Sequence, residues 1–229
     1  MKQYEIIHEH DRFMVLHKMP GCLVHGPATT ESEVTLVEQL QNDFPGAPLF
    51  PSHRLDKDTS GLMLIAKDKE TNSLISQAFE EKKIGKLYVA LSNKKPKKKQ
   101  GWVKGDMERT RNGSWKLNRG MENPAITYFQ SCYLPEMGKR LFLLKPHTGK
   151  THQLRVALKS LGAPILGDQR YKGTSADRLY LHAYRLSFSL FDKTFTFNLM
   201  PTEGDLFIKD ECVKAIDELA VRVKSIKST

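Results

Sequence analysis

The residues with the clearest chemical potential form one decamer, His53-Arg54-Leu55-Asp56-Lys57-Asp58-Thr59-Ser60-Gly61-Leu62. A carboxylate, Asp56, stands between two basic residues and a Thr-Ser-Gly turn. An apolar run from Leu62 to Ala66 follows, and a short apolar run after a glycine reads as a buried strand. Asp56 is therefore expected on a tight connection at the edge of a core. Kept ionised, held in place and shielded from water, such a carboxylate can act as a nucleophile. The ordinary reading of a loop Asp is a turn former or helix cap. Two basic residues and a small-residue turn around one carboxylate set this stretch apart. Arg54 falls on the same side of an extended segment as Asp56.

Other chemistries find less support. Gly149-Lys150-Thr151 suggests a phosphate loop, but Leu144 stands where that motif needs glycine. His8 and His10 share a strand face without a third clustered ligand, so no metal is expected. Cys22, Cys132 and Cys212 are odd in number and far apart, which suggests neither a disulfide framework nor a zinc site. They read as thiols in a reducing cytosol. The N-terminus, MKQYEIIHEHDRF, places acids where a signal peptide has its apolar region, and no apolar run approaches the roughly 20 residues of a membrane helix. A cytoplasmic location without membrane contact is expected.

At 229 residues, 39% hydrophobic and 27% charged, the chain can bury one sizeable core or two small ones. Its net charge of +10 is unevenly spread. Lys82 to Arg119 carries thirteen Lys or Arg against Asp106 and Glu108, a local balance of +11, which leaves the rest at −1. A basic block in neutral surroundings is the footprint of a polyanion site. Trp102, Trp115 and Tyr88 lie within it, which favours nucleic acid over a merely solvated tail.

The positioning elements follow from periodicity and capping. Residues 2–8 and 13–17 read as a hairpin, and His17 to His25 as a Pro-Gly turn with a short strand. Thr30 and Glu33 have capping-box spacing ahead of a helix carrying Val37, Leu40 and Phe44, ending near Pro45-Gly46. Asp68 caps a helix to about Lys83 with Leu74, Ile75, Ala78 and Phe79 on one face. Lys86 to Leu91 is a strand. Lys94 to Gly101, with five Lys and one Pro, reads as a connection with no core to join and the best division between two lobes. An irregular hairpin or arm is expected over 105–120, with strands at Ala125 to Cys132 and Arg140 to Lys145. Leu144 to Gly162 begins as a turn and becomes a helix with Leu154, Ala157, Leu158 and Leu161 on its apolar face, stopped by Gly162. Residues 208–229 form a separate basic C-terminal helix that docks and frays.

The decamer resembles the signature of the RluA-type RNA pseudouridine synthases, and the resemblance extends over about residues 2–207, the expected catalytic domain. HKMPGCLVH resembles the family's first motif, with His17 where Asn is usual and the Pro displaced by one. LKPHTGKTHQLR resembles the third, with Lys150 for the usual Arg. By resemblance, Asp56 is the nucleophile, Tyr88 and Arg155 complete the catalytic set, and Arg155 is the cation that pairs with the Asp. Leu154 packs beneath the reacting ring, and His53, Arg54, Lys150 and His152 meet the substrate RNA. Thr59, Ser60 and Gly61 are the structural part of the motif. The implied fold is α+β, a bent, largely antiparallel mixed sheet with flanking helices, in two lobes around a central cleft. The implied form is minimal, without an N-terminal S4-like domain, and acts on ribosomal or transfer RNA with no cofactor and no required protein partner, as a monomer. Two other readings stay open: an N-glycosidase using the same Asp with water as acceptor, and an RNA-binding chaperone that has lost catalysis.

Overall fold

A computed structural model describes residues 2–26 and 34–223. The Thr30–Glu33 box expected from the sequence lies outside the described residues. The chain divides into two compact units, one comprising the chain to Lys86 together with Ala183–Leu199, the other Leu87–His182 with the chain from Met200 onward. The division falls at Lys86, not in the lysine tract.

In the first unit, β1 (Tyr4–Glu9) pairs antiparallel with β2 (Phe13–Lys18), and β2 with β4 (Ser60–Ala66). The short β3 (Phe50–Pro51) also pairs with β4, and β11 (Leu181–Leu190) lies on its other side. Strand β11 pairs antiparallel with β12 (Lys193–Asn198). All six residues of β2 and all seven of β4 are buried. Their alternate residues enter two cores: Phe13, Val15, Leu62 and Leu64 with Ile75 on one face, Met14, Leu16, Met63 and Ile65 with Leu36 and Leu40 on the other. Burial on both faces is why these strands read as continuous apolar runs.

Helix α1 (Leu36–Asp43) covers the second face. Its capping box is Thr35 with Glu38. The strand expected after the Pro-Gly turn does not form, because carbonyls of Leu23 and Val24 accept the N–H groups of Leu36 and Val37 at the start of α1. Those groups have no partner within a helix, so the segment satisfies them instead of joining the sheet. Helix α2 (Lys69–Glu80) is capped by Asp68, whose carboxylate accepts from Thr71 N–H at 2.8 Å, and it buries Ile75. It stops at Glu80, short of Lys83, and Leu74 is exposed.

In the second unit, β5 (Gly85–Ser92) pairs antiparallel with β10 (Lys139–Pro146), β10 with β9 (Ala125–Leu134), and β9 with β6 (Gln100–Gly105). A separate hairpin joins β7 (Met107–Arg109) to β8 (Trp115–Leu117), which is the expected arm. Helix α3 (Gln153–Ser160) lies against β9, and Gly162, with φ of 78°, ends it in the left-handed region as expected. Helix α4 (Asp210–Val223) packs on β9 and β10 through Cys212, Ile216, Leu219 and Ala220. The fold is α+β with a mostly antiparallel sheet.

The lysine tract is not a loose connection. Pro96 is buried, Lys97 N–H bonds to Leu161 O at 3.0 Å, and Ser131 Oγ donates to Lys99 O at 2.8 Å, while all five lysine side chains stay exposed.

Candidate active site

In the first unit, Asp56 opens a turn between β3 and β4, closed by Thr59 N–H donating to its carbonyl at 3.0 Å. Asp56 is half-buried, Leu55 before it is buried, and Arg54 is exposed. Lys18, fully buried, reaches this turn. Its Nζ donates to the carbonyls of Met19 (2.9 Å), Cys22 (2.8 Å) and Lys57 (2.8 Å). An ammonium has three N–H donors, and these three bonds tie the Pro-Gly turn to the residue beside Asp56.

The loop is clasped to β4 on its other flank. Ser52 N–H bonds to Leu64 O at 3.2 Å, and His53 Nε2 accepts from Leu64 N–H at 2.9 Å. Burial, with the Lys86 charge nearby, pushes His53 from its ordinary 6.5 down to about 3, so the ring is neutral and can accept that bond. Its ring packs on Phe79 at 4.7 Å. The residue expected to meet RNA therefore braces the backbone. Thr59 and Ser60 are buried, and Gly61 has φ of 116°. A Cβ at Gly61 would stand 2.5 Å from the backbone N and O of Ala183 on β11, so only glycine lets the two strands approach.

In the second unit, Tyr88 lies on β5 opposite Leu144, half-buried beside buried Leu87 and Val89. The third motif is built around Gln153. Its Oε1 accepts from Thr148 Oγ1 (2.7 Å) and Lys150 N–H (3.0 Å), and its Nε2 donates to Ile126 O (3.0 Å) and Thr127 Oγ1 (2.9 Å). Both ends of the amide are thereby used to fix the turn before α3 against β9. Lys150 Nζ reaches Asn123 Oδ1 at 2.5 Å. His152 takes left-handed backbone, φ of 56°, at the start of α3, and its Nδ1 shares a 2.9 Å hydrogen bond with Tyr171 Oη.

Leu154 and Arg155 follow, each 7% exposed. Arg155 donates from Nε to Asp168 Oδ2 at 2.8 Å and from Nη2 to Oδ1 at 2.9 Å. Its guanidinium also lies over the Tyr171 ring, 5.1 Å from the centroid. Trp115 N–H donates to Tyr171 Oη at 3.1 Å, which ties the β7–β8 arm to the same cluster. Among the described residues, no group of three or more His, Cys, Asp or Glu is arranged to hold a metal ion.

Asp56 thus lies on a braced turn, and Arg155 is oriented by Asp168. The family model described as RNA pseudouridylate synthase matches residues 12–160, which contain both. The chain belongs to that family. An uncharacterized RNA pseudouridine synthase of Haemophilus influenzae is 46% identical over 209 residues, 90% of this chain and 92% of that one. The ribosomal large subunit pseudouridine synthase C of Rickettsia bellii is 35% identical over 80% of this chain, which spans 63% of that protein's length. The tRNA pseudouridine synthase C of Haemophilus ducreyi is 31% identical over 82% of this chain and 86% of that one. The fold matches that of human RNA Pseudouridylate Synthase Domain Containing 1, with a TM-score of 0.76 over 99% of this chain and 96% of that one at 24% identity.

For an RNA pseudouridylate synthase, sequence reasoning missed three residues that hold the others. Lys18 had a signal, a charge closing the β2 stretch FMVLHK after four apolar residues. Gln153 sits in the third motif among charged neighbours that draw the eye first. Asp168 follows Gly167 at the start of a 3₁₀ turn, Gln169–Tyr171, and nothing local marks it as the partner of an arginine thirteen residues away.

Proposed function

We propose that this chain isomerises specific uridines of ribosomal or transfer RNA to pseudouridine, with Asp56 as nucleophile. The observation that carries the proposal is the half-buried Asp56 on a turn braced from both flanks by Lys18 and His53. The reaction breaks the N1–C1′ bond, turns the uracil over, joins C5 to C1′ and releases the C5 proton; it consumes no second substrate. Asp56 supplies the carboxylate for the bond-breaking stage. Arg155 is the cation that keeps a reacting carboxylate ionised in a water-poor site. Tyr88 relays the C5 proton, its phenol oxygen accepting it while the phenol's own O–H proton passes to water, and Leu154 packs beneath the ring. Arg54, exposed beside Asp56, fills the gap left by the extracted base or holds a phosphate, and Lys150 and His152 line the same motif. Extracting a stacked base costs a few kcal/mol, which favours loops and mismatched sites as substrates. The exposed lysines 94, 95, 97, 98 and 99 and the β7–β8 arm supply phosphate contacts. The chain works in the cytoplasm as a monomer, without a required protein partner.

Asp56→Asn tests the reading on RNA carrying tritium at uracil C5. Tritium release and pseudouridine formation should both disappear, while RNA affinity, set mainly by phosphate contacts, changes less than about tenfold. A variant that keeps more than a few per cent of turnover removes Asp56 from the nucleophile's role. Free uracil among the products would make the chain an N-glycosidase. Pseudouridine mapping of total RNA from a deletion strain identifies the substrate.

A further inference from the structure

A buried ion pair contributes little net stability over an apolar pair of similar volume, because both charges must leave water. Arg155 and Asp168 are such a pair, with side chains 9% and 0% exposed. Their geometry offers something other than stability. The two parallel bonds from Nε and Nη2 fix the guanidinium plane, and the Tyr171 ring backs its face. The edge used by Asp168 is the Nε side; a second anion would use the edge that contains Nη1.

Asp168 is itself held rigidly. Its carboxylate accepts Tyr171 N–H at 3.3 Å, and its carbonyl accepts Gly173 N–H at 2.7 Å. Gly167 N–H bonds to Thr174 O at 2.7 Å. A Cβ at Gly167 would stand 1.8 Å from Arg178 O, and one at Gly173 1.9 Å from Ile165 O. Residues 165–174 thus form a closed loop whose two glycines admit no side chain. Rigidity passes from backbone to carboxylate, and from carboxylate to guanidinium.

We propose that Asp168 is a positioning residue for this reaction, orienting the Arg155 guanidinium without touching RNA. The inference rests on the catalytic role assigned above to Arg155. A misplacement of about 1 Å at a reacting group costs about a hundredfold in rate, so the effect belongs on turnover.

The test uses the full chain and C5-tritiated RNA. Asp168→Asn should lower kcat by about 10²-fold with KM for RNA within about threefold, and Asp168→Glu, which keeps the carboxylate, should recover about tenfold of the loss. Combined with Arg155→Met, Asp168→Asn should cost less than about threefold more, because a residue acting only through Arg155 has nothing left to orient. Nitrogen-15 NMR of arginine side chains gives a readout independent of turnover: a protected Arg155 Nε–H signal in the native chain, lost in Asp168→Asn. Native kcat in Asp168→Asn, or the same loss with and without Arg155, overturns the proposal. Should Asp168→Asn fail to fold, Asp168→Glu decides on kcat, KM and the Nε–H signal. A native chain that binds RNA but releases no tritium refutes the synthase reading instead, and the Nε–H signal then decides the positioning claim alone.

Discussion

The Asp56 turn in the first unit and the Arg155 cluster in the second are fixed by different means. The turn is held through backbone: Lys18 Nζ grips three carbonyls, and His53 takes the N–H of Leu64. Arg155 is held side chain to side chain by Asp168 and the face of Tyr171. Every residue has a carbonyl, so the first mode leaves little trace in the residues being held. It also couples the turn to folding, because releasing it exposes buried polar groups. The second mode sets one side chain and leaves the surrounding chain path to other contacts.

That contrast is broken most severely at Lys18. Lys18→Met leaves three carbonyls without their donor, each costing about 1–3 kcal/mol when buried and unsatisfied. Denaturant unfolding should show a loss of about 3 kcal/mol or more, with turnover lost as well. A native unfolding curve would show that the brace is dispensable.

Tyr88→Phe should act on rate alone. It preserves the ring and the strand, so stability and RNA affinity should stay native while tritium release and pseudouridine formation fall together by about 10²-fold. Release at the native rate would make Tyr88 a stacking platform.

A weaker effect, on affinity only, is expected when Lys94, Lys95, Lys97, Lys98 and Lys99 become Gln. Every phosphate deprived of its lysine should reduce the log–log salt slope of RNA binding by about 0.7 to 0.9. An unchanged slope would assign phosphate binding to other residues.

The smallest effect concerns His53. Its pKa is lowered to about 3 in the fold from an ordinary 6.5, so it stays neutral while the unfolded chain takes up a proton. Its stabilising contribution is complete above the unfolded value of 6.5 and shrinks as pH falls toward 3. The native chain should therefore lose more stability between about pH 7 and about pH 5 than His53→Gln does. Equal losses would show that another group governs the acid side.

Features encoded within a few residues were legible in the sequence. Asp68 caps α2, Gly162 ends α3, and the run after Gly61 is a buried strand, each readable from spacing and residue type. Features set by distant partners were not. Lys18 looks like the end of a strand because its acceptors include Lys57, thirty-nine residues away. Strand β12 escapes sequence reading because its hairpin turn uses Phe191 and Asp192, both at positive φ, where glycine or asparagine is the usual signal. The alternation of Phe195 and Phe197 could have revealed it. Thr35–Glu38 has the same spacing as Thr30–Glu33 and lies five residues beyond it, so repeated Thr and Glu in that stretch make the two hard to separate.

The pinned path of the lysine tract has a thermodynamic consequence for association. A disordered tract would surrender about 1–2 kcal/mol of backbone entropy per residue on docking. Here Pro96, Lys97 N–H and Lys99 O are fixed when the chain folds, and only the lysine side chains remain to be ordered. A polyanion meeting this row encounters charges at set intervals. The signature in calorimetry is a favourable binding entropy from released counterions, offset only a little by chain ordering.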